Sequence, residues 1–179
     1  MRIVLVTHAE ASEAAPRPLT DEGILSAERA AARIGGVMGE SWRVKKAVSS
    51  PAVRCVQTAL VILGTLSGEK LRRLDTDPRL MAAKDPMEPD QLFRALADYP
   101  CEGLLVVLHA DLANAMPGGC RPGACSGGWF TERPVICILD WEPERPWKES
   151  RVIALEAPDG GSLLPPGHDG TVKTKLLLT

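Results

Sequence analysis

Four short runs of strand character, residues 2–7 (RIVLVT), 43–48 (RVKKAV), 71–74 (LRRL) and 104–108 (LLVVL), alternate with segments that have helical spacing. This alternation constrains the fold more than any other feature of the chain. Parallel strands need long crossover connections, and a helix is the usual one, so β-α-β-α-β-α-β argues for a parallel sheet with helices on both faces. The first and last runs are almost wholly Leu, Val and Ile, as strands buried on both faces require. The second carries Lys45 and Lys46 and is weaker. The expected architecture is therefore α/β, a three-layer α/β/α sandwich with a mostly parallel central sheet.

Helix signals sit where this scheme needs them. Thr20 is a good N-cap, Asp21 and Glu22 occupy the first turn, and Leu19 is placed to staple onto Ile24. Ile24, Ala27, Ala31, Ile34 and Met38 keep the spacing of one apolar face, and Gly35, Gly36 and Gly39 are expected to end the helix. Ser50 then reads as an N-cap with Pro51 at the first helical position, and Val53, Val56, Leu60 and Leu63 as the buried stripe. Asp90 caps a further helix through Ala97. A short helical stretch is expected from Asp111 to about Met116, and a Gly/Pro/Cys-rich loop over 117–128. Val135–Trp141 and Arg151–Ala157 read as two more strands joined through Pro143–Lys148. After Pro158 the chain is turn-rich.

Length and composition set bounds on class. A chain of 179 residues suits a single domain over 1–179, with 158–179 as a loosely anchored tail. With 45% hydrophobic and 25% charged residues, wholesale disorder is excluded. A net charge of −2 gives no basic footprint, so nucleic acid and anionic membrane surfaces are not expected partners. No apolar run reaches the length of a membrane span. The segment MRIVLVTHAEA is interrupted at His8 and Glu10, which suits a strand better than an export signal. Five cysteines without an export signal point to free thiols in a cytoplasmic protein.

Position then gives the site. His8 follows the first strand, Ser49-Ser50-Pro51 with Arg54 follows the second, and His109 follows the fourth. Open α/β sheets bind ligands at the carboxyl ends of their strands, so these residues converge on one edge. A helix N-terminus offers free N–H groups and a positive dipole end, and Arg54 adds a two-pronged donor. With two imidazoles beside them, these residues make an anion-binding α/β domain the expectation, and a phosphoryl group is one anion that would suit it.

The stretches Thr7-His8-Ala9-Glu10-Ala11, Leu19-Thr20-Asp21-Glu22-Gly23, Ser49-Ser50-Pro51-Ala52-Val53-Arg54-Cys55-Val56-Gln57-Thr58-Ala59 and Val106-Val107-Leu108-His109, in that order, resemble the histidine phosphatase superfamily. This is the phosphoglycerate-mutase-like group, and the compact chain is most similar to its short bacterial phosphohistidine-phosphatase branch. The resemblance implies a phosphatase acting on phosphohistidine or a small phosphomonoester. His8 would be the nucleophile that carries the phosphoryl group, and His109 the second histidine that stabilises its charge. Arg54, Thr7 and Ser50 would bind phosphate. The family's Arg-His-Gly reads Thr7-His8-Ala9 here, so the first core arginine is replaced by one hydroxyl. The alternative reading is therefore a catalytically weakened phosphate-binding pseudoenzyme or regulatory module. The acid glutamate of many relatives falls among Met81-Ala82-Ala83, which leaves Asp85 and Glu88 as candidate acids. The implied chemistry needs no metal and no organic cofactor. Its partner would be a phosphorylated small molecule or a phosphohistidine protein.

The remaining residues carry no comparable signal. Cys120 and Cys125 lack a second pair at zinc spacing and read as free thiols in a loop. Trp129, Trp141 and Trp147 read as packing residues, and His168 as a solvated residue of the tail.

Overall fold

In a computed structural model of the chain, residues 1–39, 41–67, 73–81, 89–109 and 134–156 are described. Strands β1 (Arg2–Thr7), β2 (Lys46–Ser49), β3 (Leu74–Thr76), β4 (Leu104–Leu108), β5 (Ile136–Asp140) and β6 (Arg151–Glu156) form one sheet in the order β3-β2-β4-β1-β5-β6. The pairings β1·β4, β2·β4 and β2·β3 are parallel, whereas β5 lies antiparallel to both β1 and β6. The parallel half matches the expected crossover pattern. The antiparallel half is a hairpin closed by the 141–150 connection, short enough to need no crossover.

Among the described residues three α-helices cover the sheet: α1 (Asp21–Met38) and α2 (Val53–Ser67) on one face, α3 (Pro89–Leu96) on the other. Side-chain alternation along β1 divides the core accordingly. Val4 and Val6 pack with Ala27, Ala31 and Ile34 of α1 and Ala59 and Ile62 of α2, while Ile3 and Leu5 join Leu92, Phe93 and Leu96 of α3. Burying the Val, Leu, Ile and Phe side chains among these stabilises by roughly 1.5–3 kcal/mol each. Among the described residues, no helix is long and apolar enough to cross a membrane.

Local chemistry explains where elements begin and where they depart from expectation. Thr20 caps α1 as its sequence suggests, its hydroxyl accepting from Gly23 N at 3.0 Å. The helix does not end at Gly35 or Gly36. It runs on to Met38 and closes at Gly39, whose φ of 76° suits glycine. Ile24 is not on the buried face but 39% exposed. The backbone of Glu10 presses on Gly23, which turns that position inward and Ile24 outward, and Ser26 is buried with its hydroxyl donating to Gly23 O.

The second helix is rotated from the expected stripe. Cys55, Thr58, Ala59, Ile62 and Leu63 face inward, whereas Val53 and Leu60 are exposed. Its first residue is Val53 rather than Pro51, and Ala52 O accepts the first backbone bonds from Cys55 and Val56. β2 starts three residues later than the RVKKAV run, and β3 occupies Leu74–Thr76 rather than 71–74. The expected helical stretch over 111–116, the 117–128 loop and the tail from 158 to 179 lie outside the described residues.

Candidate active site

β1 and β4 are adjacent and parallel, so Thr7 pairs with Leu108, and His8 and His109 leave the same sheet edge side by side. His8 N donates to Leu108 O at 2.9 Å, and the two imidazole centroids lie 5.6 Å apart with planes at 74°. Both histidines are almost fully buried. His8 Nδ1 stands 2.7 Å from Ala9 O. A carbonyl only accepts, so Nδ1 carries a proton, and in the neutral ring Nε2 keeps the lone pair.

β2 delivers the next group. Ser50 N donates to Val107 O at 2.9 Å, and the chain then turns into α2, which brings Arg54 back over β4. Arg54 Nη2 lies 3.0 Å from His109 Nδ1, and Ser50 Oγ lies 2.8 Å from His109 Nε2. Arg54 Nε is buried without a hydrogen-bond partner. Such an orphaned donor costs about 1–3 kcal/mol, and an anionic oxygen would remove that cost. Cys55 Sγ sits 3.9 and 3.7 Å from Nδ1 and Nε2 of His109.

Three motif residues whose roles sequence reasoning left blank turn out to fix the 9–19 segment. Ala9 N donates to Thr58 Oγ1 at 3.0 Å, and Leu19 N donates to Gln57 Oε1 at 2.8 Å. Thr58 Oγ1 in turn donates to Arg54 O at 2.7 Å. A Cβ on Gly23 would stand 2.1 Å from Glu10 O, so glycine there lets the segment close on α1. Thr7 is fully buried; its Oγ1 accepts from Val135 N at 2.8 Å and ties the end of β1 to the start of β5.

Asp77 was missed in the sequence because a lone aspartate before Pro78 reads only as a turn residue. It is 3% exposed, caps the Pro78–Leu80 turn through Arg79 N, and receives Arg79 Nη2 at 2.7 Å and Tyr99 Oη at 3.0 Å. The Arg79 guanidinium holds the Asp77 carboxyl below the usual carboxylate range, against the opposing effect of burial. Burial first, and then the neighbouring Asp77 carboxylate, push Tyr99 upward. This clamp leads into Met81, whose sulfur stands 3.3 Å from Ser50 Oγ.

The remaining candidates lie elsewhere. Asp85 and Glu88, with Cys120, Cys125, Trp129 and His168, lie outside the described residues. Trp141 and Trp147 pack on Phe93, 5.2 and 5.7 Å between centroids, beside a cavity of about 350 Å³. Trp141 N donates to Met1 O, so that cavity borders the amino end of β1, away from His8. Among the described residues, no cluster of three or more His, Cys, Asp or Glu side chains could hold a metal ion.

Two histidines, an arginine with an unpaired donor and a helix start at one sheet edge define an α/β protein with an anion-receptive site. The profile described as histidine phosphatase superfamily (branch 1) matches residues 3–83. The fold is similar to that of the protein histidine phosphatase SixA, solved with tungstate, at 20% identity and a TM-score of 0.66, covering 89% of this chain and 98% of that one. It is similar to a phosphoserine phosphatase of Entamoeba histolytica in complex with phosphoserine, at 12% identity, TM-score 0.60, and 88% and 97% coverage. A phosphoglycerate mutase of Plasmodium falciparum aligns at 18% identity, TM-score 0.54, and 93% and 95% coverage. No curated protein matches the chain in sequence. Over residues 3–83 the chain is thus similar to the histidine phosphatase superfamily, and over most of its length its fold is that of the solved structures just named.

Proposed function

We propose that the protein, read as one domain over 1–179, is a phosphatase that hydrolyses phosphohistidine or a small phosphomonoester through a phosphohistidine on His8. The observation that carries this reading is the pairing of His8, with its lone pair on Nε2, and the His109–Arg54 couple 5.6 Å away, where Arg54 keeps one unpaired N–H. Nε2 attacks phosphorus, a P–N bond forms, and the bond to the leaving group breaks with its electron pair on that group. Water then cleaves the phosphohistidine, releasing phosphate and restoring the imidazole. Arg54 and His109 stabilise the equatorial oxygens while charge builds on them. Asp85 or Glu88 would protonate an alkoxide leaving group; an imidazole leaving group needs less help. The thiol of Cys101 suits a reducing, cytoplasmic setting.

The test is phosphate release from an aryl phosphate and from a phosphoramidate. Turnover that His8→Ala abolishes supports the enzyme; equal inertness of both proteins refutes it. One observation favours a second reading, a phosphate-binding module with little turnover. Thr7 stands in the place of the family's arginine, and its hydroxyl lone pair is taken by Val135 N. Loss of one preorganised donor costs roughly 10²–10³ in rate. Under that reading tungstate raises the melting temperature of the native chain but phosphate release stays at background.

A further inference from the structure

We propose that Ser50 is a positioning residue for His109: its hydroxyl holds the Nε2 proton and so leaves Nδ1 facing Arg54 and the phosphoryl site. The geometry stands alone, and the catalytic consequence rests on the phosphatase reading above.

A guanidinium has no acceptor, so at 3.0 Å from Arg54 Nη2 the Nδ1 of His109 must accept. The ring proton is then on Nε2, and Ser50 Oγ at 2.8 Å accepts it. The same oxygen accepts from Ala52 N at 3.3 Å, which uses its second lone pair. Its own proton goes to Met81 Sδ at 3.3 Å. No hydrogen of Ser50 is left for a phosphoryl oxygen, the role its place in the motif suggested. Cys55 sulfur, almost equidistant from the two ring nitrogens, lies against the ring and resists its rotation. The Asp77–Arg79–Tyr99 clamp fixes the turn that supplies Met81.

The consequence appears when a phosphoryl group draws the Arg54 fork to its own oxygens. Nδ1 then becomes the nitrogen open to a proton, while Nε2–H stays on Ser50. A substrate arriving as the phosphoryl monoanion passes its P–OH proton to Nδ1 and becomes a dianion between imidazolium and guanidinium. Without Ser50 the ring loses its anchor and the donor is misplaced.

The experiment is ¹H–¹⁵N NMR of the full chain labelled at histidine, together with kinetics. With 3 histidines in the sequence, the His109 signal is assigned by its loss in His109→Gln. The native protein and Ser50→Thr should show a protected Nε2–H, and Ser50→Ala should lose it. Ser50→Ala should lower kcat roughly 10- to 100-fold with little change in KM, as expected of a displaced catalytic group. The effect should vanish in the His109→Gln background. An unchanged N–H signal in Ser50→Ala overturns the proposal, as does a rise in KM at constant kcat, which marks a direct phosphate ligand. If the native chain shows no turnover, the phosphatase reading falls, and the N–H signal still decides the role of Ser50.

Discussion

Gly23→Ala and Gly36→Ala place the same substitution on the same helix and should change stability in opposite directions. In an exposed helix interior, alanine is better than glycine by about 0.5–1 kcal/mol. A Cβ at Gly36 meets nothing within 4 Å, so Gly36→Ala should gain that amount. At Gly23 the new Cβ would stand 2.1 Å from Glu10 O and 3.0 Å from Glu10 C, both backbone atoms that cannot rotate away. The 9–19 segment must then retreat by more than an ångström. That strains or breaks the Thr20 N–Glu10 O bond at 3.2 Å, worth about 1 kcal/mol. Overpacking adds about 1–3 kcal/mol, so the helix-propensity gain is outweighed and a net loss of roughly 1–3 kcal/mol remains. For a chain of this size each kcal/mol moves the melting temperature by about 2–4 °C. Urea unfolding with both variants is the assay. A Gly23→Ala protein as stable as Gly36→Ala, with the same m-value, refutes the argument that close approach rather than flexibility demands glycine at 23.

Further outcomes follow from other contacts. Thr7→Val keeps the shape but leaves Val135 N–H buried without its acceptor, which should cost about 1–3 kcal/mol in urea unfolding; Thr7→Ser should cost less. Asp77 has a folded-state carboxyl held below its ordinary 3.8, so its contribution to stability is present above that pH and is lost as pH falls through the depressed value. Melting temperature followed from pH 7 to pH 2 should therefore fall less steeply on the acid side in Asp77→Asn than in the native chain. Burial pushes the Cys137 thiol up to about 12, so at pH 8 iodoacetamide and mass spectrometry should find Cys101 alkylated and Cys137 untouched until the protein is unfolded.

The parallel core was legible because its signals are local and strong. RIVLVT and LLVVL became β1 and β4 at the expected residues, and Thr20 capped α1 as a threonine before two acids should. Helix rotation was not legible. Val53 and Leu60 look apolar in sequence, but α2 is turned by Arg54 and Cys55 toward His109, a contact 54 residues or more away along the chain. Ile24 failed for the same reason, since Gly23 faces a backbone oxygen that periodicity cannot reveal. His8, Arg54 and His109 are expected to converge from their places after the strands, and the structure brings the three together. Gln57 and Thr58 act on backbone groups 38 and 49 residues away, and nothing in their immediate neighbours announces those partners; Asp77 has Arg79 two residues on, but its bond from Tyr99 is equally unannounced.

The two tethers from α2 to the 9–19 segment also bear on how such a chain can diversify. Thr58 and Gln57 fasten Ala9 and Leu19, and the same helix carries Arg54. The His8-bearing turn and Arg54 are thus mounted on one chassis that is closed by residue 58, and His109 is supplied from later in the chain. Insertions and deletions beyond α2 leave that chassis untouched as long as β4 still docks between β1 and β2. The later connections can therefore be remodelled while the placement of His8 against Arg54 is kept.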